Sequence, residues 1–251
     1  MTDFVVERDN NLLNAMKMEK EYRKFQNNWT VKTAFGYKDK LKSLGFVDTI
    51  VYERAKIEDY LKNSSIPIEN VDITELAEKR QTAIDECKDV LHIITGSGVF
   101  VYGGIMGDDG VIGEKQYNEK YCKKEEIFVF EVPIQSALVA TEYDLALSLI
   151  SKQHDLGDLL LEKLNSYFNR VGVNTVISGN DILLNGKKIV GSASWRNGEV
   201  SIYNYQISFV VDREKIDTVC IKEMVKEPIG ISEISDITRT DLIKEVKSWL
   251  Q

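Results

Sequence analysis

The chain is poor in the residues that build disulfide-linked or metal-stabilised folds. Its 251 residues include three cysteines and two histidines, and the wide spacing of the cysteines fits neither a disulfide framework nor a zinc site. The N-terminal sequence MTDFVVERDNN is charged within its first eight residues, unlike a secretory signal peptide. No apolar run reaches the roughly 18 to 20 residues of a membrane span. We therefore expect a cytoplasmic protein that does not bind a membrane.

Positive charge is also in deficit. The chain has 32 Lys and Arg against 40 Asp and Glu, which gives a formal net charge of −8. A broad nucleic-acid surface needs clustered Lys and Arg, so this balance argues against nucleic acid as a partner. It does not exclude a small anionic ligand, because a few local cations are enough to bind one.

Proline is equally scarce, with three in the chain, so composition marks no domain boundary and we expect a single domain over residues 1–251. Strong helix formers behind a possible Asp/Asn cap predict a helix over residues 9–26. Apolar periodicity predicts helices over residues 155–171, with Leu156, Leu160, Leu164, Phe168 and Val171 on one face, and over the C-terminal TRTDLIKEVKSWLQ. Residues 90–102 are predicted to form two strands around a glycine turn, and residues 127–134 a buried strand. Helices and antiparallel hairpins mix without a regular βαβ rhythm. The predicted class is therefore α+β, with a mixed, largely antiparallel sheet packed by helices.

Residues 178–198 have the sequence SGNDILLNGKKIVGSASWRNG, in which two Asn-Gly pairs bracket a run of ten residues. Asn-Gly between alternating runs is a strong signal for a hairpin turn. We therefore predict three consecutive antiparallel strands over residues 180–184, 187–196 and 199–211.

Two-residue turns at both pairs would fix the register of these strands. Leu183 would then lie opposite Lys188, and Arg196 opposite Glu199. Because side chains alternate between faces, one face would combine a cation, an acid, two tyrosines and apolar groups: Asp181, Leu183, Lys188, Val190, Ser192, Tyr203, Tyr205 and Ile207. Such a mixture is typical of a pocket floor, and a single bulge would exchange the two faces. The alternative is that Lys188 belongs to a solvated strand edge.

The stretch SGNDILLNGKKIVGSA resembles the signature of the lipoate–protein ligase catalytic domain, whose fold is shared with biotin ligases and lipoyl/octanoyl transferases. The family pattern is Arg-Asn-Asp, a strand, Gly-x-Lys, and a Gly-Ser-Ala step. The matching residues here are Asn180, Asp181, Gly186, Lys188, Gly191, Ser192 and Ala193. TGSGVFVY at 95–102 resembles the family's glycine-rich turn, and EPIGISEI at 227–234 the segment after its third strand. The resemblance implies a catalytic domain of this fold, without the accessory C-terminal domain that many ligases carry.

The resemblance also implies a reaction. Such enzymes attach lipoate or a medium-chain acyl group such as octanoate to a lysine of a lipoyl-carrier protein domain, through an acyl-adenylate made with ATP. The position that matches Lys188 lies against the acyl carbonyl and the phosphate. There a fixed ammonium offsets repulsion between carboxylate and phosphate and then stabilises charge on the carbonyl oxygen.

Further site residues follow from the resemblance. The turn at Gly96, Ser97 and Gly98 would offer backbone N–H groups to the ligand, and Gly191, Ser192 and Ala193 would let ligand and packing partners approach the backbone. Asn180 and Asp181 would lie near the phosphates, with Asp181 as a ligand of Mg²⁺. Tyr102 and Tyr203 stand where the family has histidines, and are expected to contact the substrate.

The sequence departs from the family on the phosphate side. His92-Ile93-Ile94 replaces an Arg-Arg pair, and Gly179 replaces the Arg before Asn-Asp. We expect the acyl part to bind and ATP to bind weakly, unless a cation such as Lys79 or Arg80 substitutes. Two alternatives to the ligase stay open. One is a non-catalytic domain that binds an acyl or adenylate ligand or a carrier protein, and the other is ATP-independent acyl transfer.

Overall fold

The computed structural model describes residues 57–96, 98–107, 113–197, 199–222 and 226–250. The predicted helix over residues 9–26 and the turn residue Ser97 lie outside this part. Residues 57–63 are helical. They are followed by β1 (Ile68–Asp72), α1 (Leu76–Asp85), β2 (Val90–Thr95), β3 (Phe100–Gly104), α2 (Glu119–Lys124), β4 (Phe128–Val132), β5 (Ala137–Ala140), β6 (Asp144–Ser151), α3 (Leu156–Arg170), β7 (Val176–Ser178), β8 (Asp181–Leu184), β9 (Lys187–Asn197), β10 (Val200–Ser208), α4 (Arg213–Val219), a short 3₁₀ helix (Ile231–Glu233) and α5 (Arg239–Leu250).

The strands form two sheets. The large sheet has seven strands in the order β1-β2-β6-β10-β9-β8-β7, and the small sheet has three in the order β4-β3-β5. Within the large sheet, β1 and β2 are parallel and the other neighbours are antiparallel. The predicted α+β class with a mixed, largely antiparallel sheet is confirmed. Among the described residues, no helix is both long and apolar enough to cross a membrane.

One face of the large sheet packs against α3 and α5. The apolar stripe predicted for α3 is buried at Leu156, Leu160, Leu164 and Phe168, and α5 adds Leu242, Val246 and Leu250 to the same core. Val171 was expected on the α3 stripe but is exposed, because the helix ends at Arg170. The helices therefore cover this face where the periodicity predicts it.

The opposite face packs against the small sheet and α1. Residues of both sheets share a second core, which includes Tyr102, Leu138 and Ala193. The segment 127–134 was expected to be a buried strand. It instead supplies β4 at the edge of the small sheet, where Phe128 is 46% exposed. Apolar composition alone does not distinguish a central strand from an edge strand.

The first predicted hairpin is confirmed, and the register of the second is wrong by two residues. Asn185 and Gly186 both have positive φ angles, 51° and 81°, as the Asn-Gly turn requires. Leu183 lies opposite Lys188. Pairing of β9 with β10 continues to Asn197 opposite Val200, so Arg196 lies opposite Ser201 rather than Glu199. A shift of two residues keeps every side chain of this pair on its face.

A β-bulge in the first hairpin has the larger effect. Beyond Leu183, the next residue of β8, Ile182, pairs with Val190, so Ile189 is an extra residue in β9. Both Ile189 and Val190 are fully buried in the core under α3 and α5. Lys188 therefore lies on the face opposite to Val190, whereas the prediction placed the two on the same face.

Candidate functional site

The backbone of Lys188 is fixed from two sides. Besides its place in β9 opposite Leu183, its N–H donates to the Glu227 carbonyl at 2.7 Å, and its carbonyl accepts from the Ile229 N–H at 2.9 Å. The segment around Pro228 thus adds a short parallel bridge at the start of β9. This is the EPIG segment that the resemblance singled out, and it restricts the direction in which the lysine can point.

The bulge corrects the predicted pocket floor. Lys188 does not share a face with Val190, Tyr205 or Ile207, which belong to the core under the helices. Its Cδ atom would instead lie 3.4 Å from a Cβ atom placed on Gly191, so it runs beside the Gly-Ser-Ala step on the side of the small sheet.

Lys188 shares one carboxylate with a second lysine. Its Nζ lies 3.6 Å from Asp181 Oδ1, and Lys226 Nζ lies 2.9 Å from Asp181 Oδ2. Lys226 also donates to the Ser178 carbonyl at 2.9 Å. All three side chains are partly buried, with 27%, 17% and 28% exposed for Lys188, Asp181 and Lys226. We call Asp181, Lys188 and Lys226 the lysine corner. It carries one positive charge in excess.

Lys187 differs from its neighbour in the way that the hairpin predicts. Its side chain is 52% exposed and forms an ion pair with Glu227, at 3.6 Å. Lys226 was missed by the sequence reasoning, because it lies 45 positions from Asp181 and only the bridge at Pro228 brings it in.

The lysine corner does not fit the expected Mg²⁺ ligand. Both oxygens of Asp181 are bound to ammonium groups, and a divalent cation there would lie beside two positive charges. Within the described residues, no group of three or more His, Cys, Asp or Glu side chains could hold a metal ion. Asn180 lies exposed in the β7–β8 turn, where its carbonyl accepts a hydrogen bond from Ser192. Asp181 is therefore the counter-ion of the two lysines.

The glycine turn lines a cavity that is separate from the lysine corner. Gly96 and Gly98, with φ angles of 123° and 135°, line a cavity of about 20 Å³ together with Thr141, Asp144 and Arg239. Burial raises the pKa of Asp144 to about 6, although Thr141 donates to its Oδ2 from N–H and hydroxyl. Lys188 does not line this cavity. The glycine turn and Lys188 therefore do not line the same cavity.

A larger surface cavity of about 640 Å³ lies beside α2 and α4, with Lys115, Asp217 and Cys220 in its lining. Burial raises the pKa of the Cys220 thiol to about 11, while the charge of Lys188 acts in the opposite direction. Cys220 is thus protonated at neutral pH, which does not favour a nucleophilic role.

A buried polar cluster lies between the two sheets. His92, Ser148, Asn204 and Ala193 are paired in succession across β2, β6, β10 and β9. Arg80 reaches this row from α1, and its Nη2 donates to Tyr102 Oη at 2.9 Å, to Asn204 Oδ1 at 3.2 Å and to Ser148 Oγ at 3.4 Å. We call Arg80, His92, Tyr102, Ser148 and Asn204 the Arg80 cluster.

Aromatic rings enclose the guanidinium of Arg80. Its Cζ lies 5.0 Å from the ring centroid of Tyr102, 5.4 Å from that of Phe130 and 5.8 Å from that of Trp195. Such contacts attract a cation through the ring quadrupole. Of the two cations that the sequence offered as substitutes for the missing arginines, Arg80 is buried beside His92, whereas Lys79 is exposed.

His92 is the core histidine of this cluster. It is almost completely buried and lies 3.9 Å from the exposed Glu69 carboxylate. Burial lowers its pKa to about 4, against the attraction of Glu69 and in the same direction as repulsion by Arg80. His92 is therefore neutral at pH 7 and cannot replace the arginine charge that the family carries here.

The remaining predicted contacts belong to packing. The Tyr102 hydroxyl is occupied by Arg80, and Ala193 lies in the core between the sheets. Tyr203 faces α3, where its hydroxyl donates to the His154 carbonyl and its ring lies against Gly157. A Cβ atom on Gly191 would lie 2.9 Å from Leu138 Cδ1. The space over the Gly-Ser-Ala step is thus taken by a side chain of β5.

The fold and the lysine corner define an α+β domain in which a Gly-x-Lys strand presents a lysine beside the small sheet. Neither a scan of protein-family models nor a search of the curated proteins finds a match. The solved structures do. A bipartite lipoate protein ligase from Thermoplasma acidophilum, studied with its E2 lipoyl domain, matches with a TM-score of 0.56 and 12% identity over 74% of this chain and 82% of that one.

Two further solved structures are similar to this fold. An ATP-bound lipoate-protein ligase A matches with a TM-score of 0.56 and 14% identity over 73% of this chain and 83% of that one. The P. falciparum LipL1 protein in complex with lipoate matches with a TM-score of 0.53 and 15% identity, over 73% and 60%. At these identities the likeness concerns the fold. The expected resemblance to the lipoate–protein ligase catalytic domain is confirmed for the fold.

Proposed function

We propose that this protein is a lipoate–protein ligase-like enzyme that attaches lipoate or another medium-chain acyl group to a lysine of a lipoyl-carrier domain, through an acyl-adenylate made with ATP. The supporting observation is the lysine corner. Lys188 is fixed by two backbone hydrogen bonds to residues 227–229 and shares its carboxylate with Lys226.

The distances in the lysine corner indicate different roles for the two lysines. Lys226 holds Asp181 at 2.9 Å and the Ser178 carbonyl at 2.9 Å, while Lys188 makes the longer contact of 3.6 Å. Lys188 can therefore turn its ammonium towards a ligand while Lys226 keeps Asp181 neutralised. In the first step, the acyl carboxylate displaces pyrophosphate from the α-phosphate of ATP, and this ammonium offsets the repulsion between the two anions. In the second, the neutral amine of the carrier lysine attacks the acyl carbonyl, AMP leaves with the bonding electrons and the amine loses a proton, while the ammonium stabilises the carbonyl oxygen.

Binding of ATP is the weaker half of this proposal. With His92 neutral and no arginine on β2, two charge-assisted hydrogen bonds of about 1.5 to 3 kcal/mol each are missing relative to the family pattern. Their loss corresponds to roughly a hundredfold or more in ATP affinity. The acyl group, which depends on apolar and small residues, is expected to bind more normally.

A second candidate function is supported by Leu138. This side chain packs directly over Gly191 and lies in the same core as Tyr102 and Ala193. An acyl chain beside the Gly-Ser-Ala step would have to displace it. A non-catalytic domain that binds a carrier protein, or an adenylate, without turnover would not need this displacement.

Steady-state assays with a lipoyl-carrier domain, ATP and lipoate or octanoate test the proposal. Lys188→Ala should lower kcat/KM by a factor of about 100 or more, the usual effect of removing one group that stabilises an oxyanion. Lys187→Ala is the matched control, because it removes an adjacent, exposed lysine, and it should stay within about twofold of wild type. Full activity in Lys188→Ala would defeat the mechanism. Wild-type protein that binds lipoyl-AMP or the carrier without turnover would favour the second candidate.

A further inference from the structure

Asp144, the first residue of β6, is a buried carboxylate with one oxygen that lacks a hydrogen-bond partner among the described residues. The residue is 4% exposed. Its Oδ2 accepts from the N–H and the hydroxyl of Thr141, at 2.8 and 3.1 Å, whereas its Oδ1 is buried without a partner. The exposed Arg239 acts on Asp144 through its charge but donates to the Glu142 carbonyl. Such a buried charge is costly unless a counter-ion compensates it.

Asp144 lines the small cavity at the glycine turn. This cavity of about 20 Å³ also has Thr95, Gly96, Gly98 and Thr141 in its lining. A single water needs about 10 to 15 Å³ of such volume, so there is room for one water molecule or for one ion without its hydration shell. Mg²⁺ keeps several waters when it binds to proteins. A hydrated divalent cation is therefore too large for this cavity.

The hydroxyl groups in the lining offer acceptors rather than donors. The Thr95 hydroxyl donates to the Val71 carbonyl at 3.2 Å, and the Thr141 hydroxyl donates to Asp144 and accepts from the Tyr143 N–H. A hydroxyl has one proton and two lone pairs, so each of the two oxygens keeps at least one free lone pair. A water molecule would leave the charge of Asp144 uncompensated. A cation with a single charge would compensate it and would use the neutral oxygens as well.

We propose that Asp144, Thr95, Thr141 and the glycine turn form a binding site for one dehydrated monovalent cation, Na⁺ or K⁺. Asp144 Oδ1 supplies the negative charge, and the two hydroxyl oxygens and the backbone carbonyls of the turn supply neutral ligands. Solvent screens the repulsion between the cation and the exposed Arg239. The bound cation links the glycine turn to the start of β6. This site is separate from the lysine corner and does not depend on the proposed function.

Thermal unfolding of the full chain near neutral pH is the first test. It compares about 0.15 M NaCl, KCl and N-methyl-D-glucamine chloride, which have the same ionic strength, and the organic cation is too large for the cavity. The Tm of wild type should be at least about 3 °C higher in Na⁺ or K⁺ than in the organic cation, as expected for a cation present at about ten times its Kd.

Two variants locate the effect. Asp144→Asn keeps the shape of the side chain but removes its charge, and should abolish the difference in Tm between the salts. Asp72→Asn is the matched control, because Asp72 is an exposed carboxylate beside Gly96 of the same turn, and it should keep the difference. Sodium NMR measures binding directly: wild type and Asp72→Asn should broaden the resonance, and Asp144→Asn should not.

A pH series on wild type decides the question if Asp144→Asn does not fold. Protons and the cation compete for Asp144, whose pKa burial raises to about 6. The apparent Kd for Na⁺ should therefore rise about tenfold between pH 7 and pH 5. Asp72 stays ionised over this range, because hydrogen bonds from Thr74 lower its pKa, and Arg239 keeps its charge. Equal Tm values in the three salts, equal losses in Asp144→Asn and Asp72→Asn, or a Kd independent of pH would each overturn the proposal.

Discussion

Lys188 and Arg80 lie on the same side of the large sheet, but of the two only Lys188 forms an ion pair with a carboxylate within the part of the chain that the structure describes. Asp181 neutralises part of the charge of Lys188 and Lys226, and all three groups keep contact with solvent. Arg80 is buried under three rings, and its hydrogen-bond acceptors within the described residues are neutral oxygens. The same kind of charge is thus paired and partly exposed at one place, and buried without a described counter-ion at the other.

The difference concerns what holds each charge in place. At the lysine corner a ligand would compete with Asp181 for two ammonium groups that keep contact with solvent. At the Arg80 cluster neutral oxygens and aromatic rings hold the guanidinium between the sheets. The corner would therefore suit the transient charge of the proposed reaction, whereas the cluster keeps its charge in one position.

The largest loss of stability in this comparison of the two sites is expected for Arg80→Ala. Truncation leaves the Tyr102 hydroxyl and the Asn204 amide without their partner and opens a cavity between three rings, so we expect a loss of about 2 to 4 kcal/mol in the free energy of unfolding. Arg80→Met refills much of the volume and should lose clearly less. Denaturant unfolding measures both. A loss below about 0.5 kcal/mol in Arg80→Ala would show that the cluster contributes little to stability.

A pH effect of similar size is expected from His92. Burial lowers its folded-state pKa to about 4, from an ordinary value of about 6.5. Between these two pH values the unfolded chain binds more protons, so acidification through this window destabilises the fold, by up to about 3 kcal/mol at pH 4. The buried Asp144, whose pKa burial raises to about 6, acts in the opposite direction.

Comparison of His92→Gln with wild type isolates the histidine. The difference in unfolding free energy between the two should change by about 3 kcal/mol between pH 7 and pH 4, in favour of the variant at low pH. A constant difference over this range would mean that His92 titrates normally, and hence that the interior beside Arg80 is hydrated.

The smallest of these effects is expected for Asp181→Asn at the lysine corner. The variant leaves two ammonium groups close together without a carboxylate, but their partial exposure screens the repulsion, and we expect a loss of about 1 to 2 kcal/mol. The loss should shrink in 1 M NaCl. Glu227→Gln, which removes the exposed partner of Lys187, should cost at most about 0.5 kcal/mol. Equal losses in the two variants would place Lys188 among ordinary surface lysines.

Sequence reasoning succeeded where short-range chemistry decides the structure. The Asn185-Gly186 turn, the three strands around it and the buried stripes of α3 and α5 follow from turn residues and periodicity within a few positions of one another. The resemblance carried by the Gly-x-Lys stretch was sufficient for the fold as well. These elements are those for which local preference and the final structure agree.

The rest depended on contacts that are distant in sequence. Ile189 gives no local sign that it is an extra residue, since it and Val190 are both apolar and both find room in one core. Lys226 joins Asp181 only through the bridge at Pro228. Arg80 lies in a charged helix that looks solvated in sequence, and only the packing of β3 against the large sheet encloses it. The sequence therefore predicted Lys188 as the central residue of the candidate site. It did not predict the side of the sheet to which Lys188 points, or that Lys226 is its neighbour.

The bulge at Ile189 also bears on how such a site can change in evolution. Removal of the Ile189 codon would take out the extra residue of β9, so the shortened strand would alternate regularly from Lys188 to Gly191 and the ammonium would stay on its present side of the sheet. Loss of the bulge with all residues kept would instead turn Lys188 to the side of Val190. Two homologues that differ by one residue between the Gly-x-Lys and Gly-Ser-Ala signatures can thus present this lysine to the same layer of the fold.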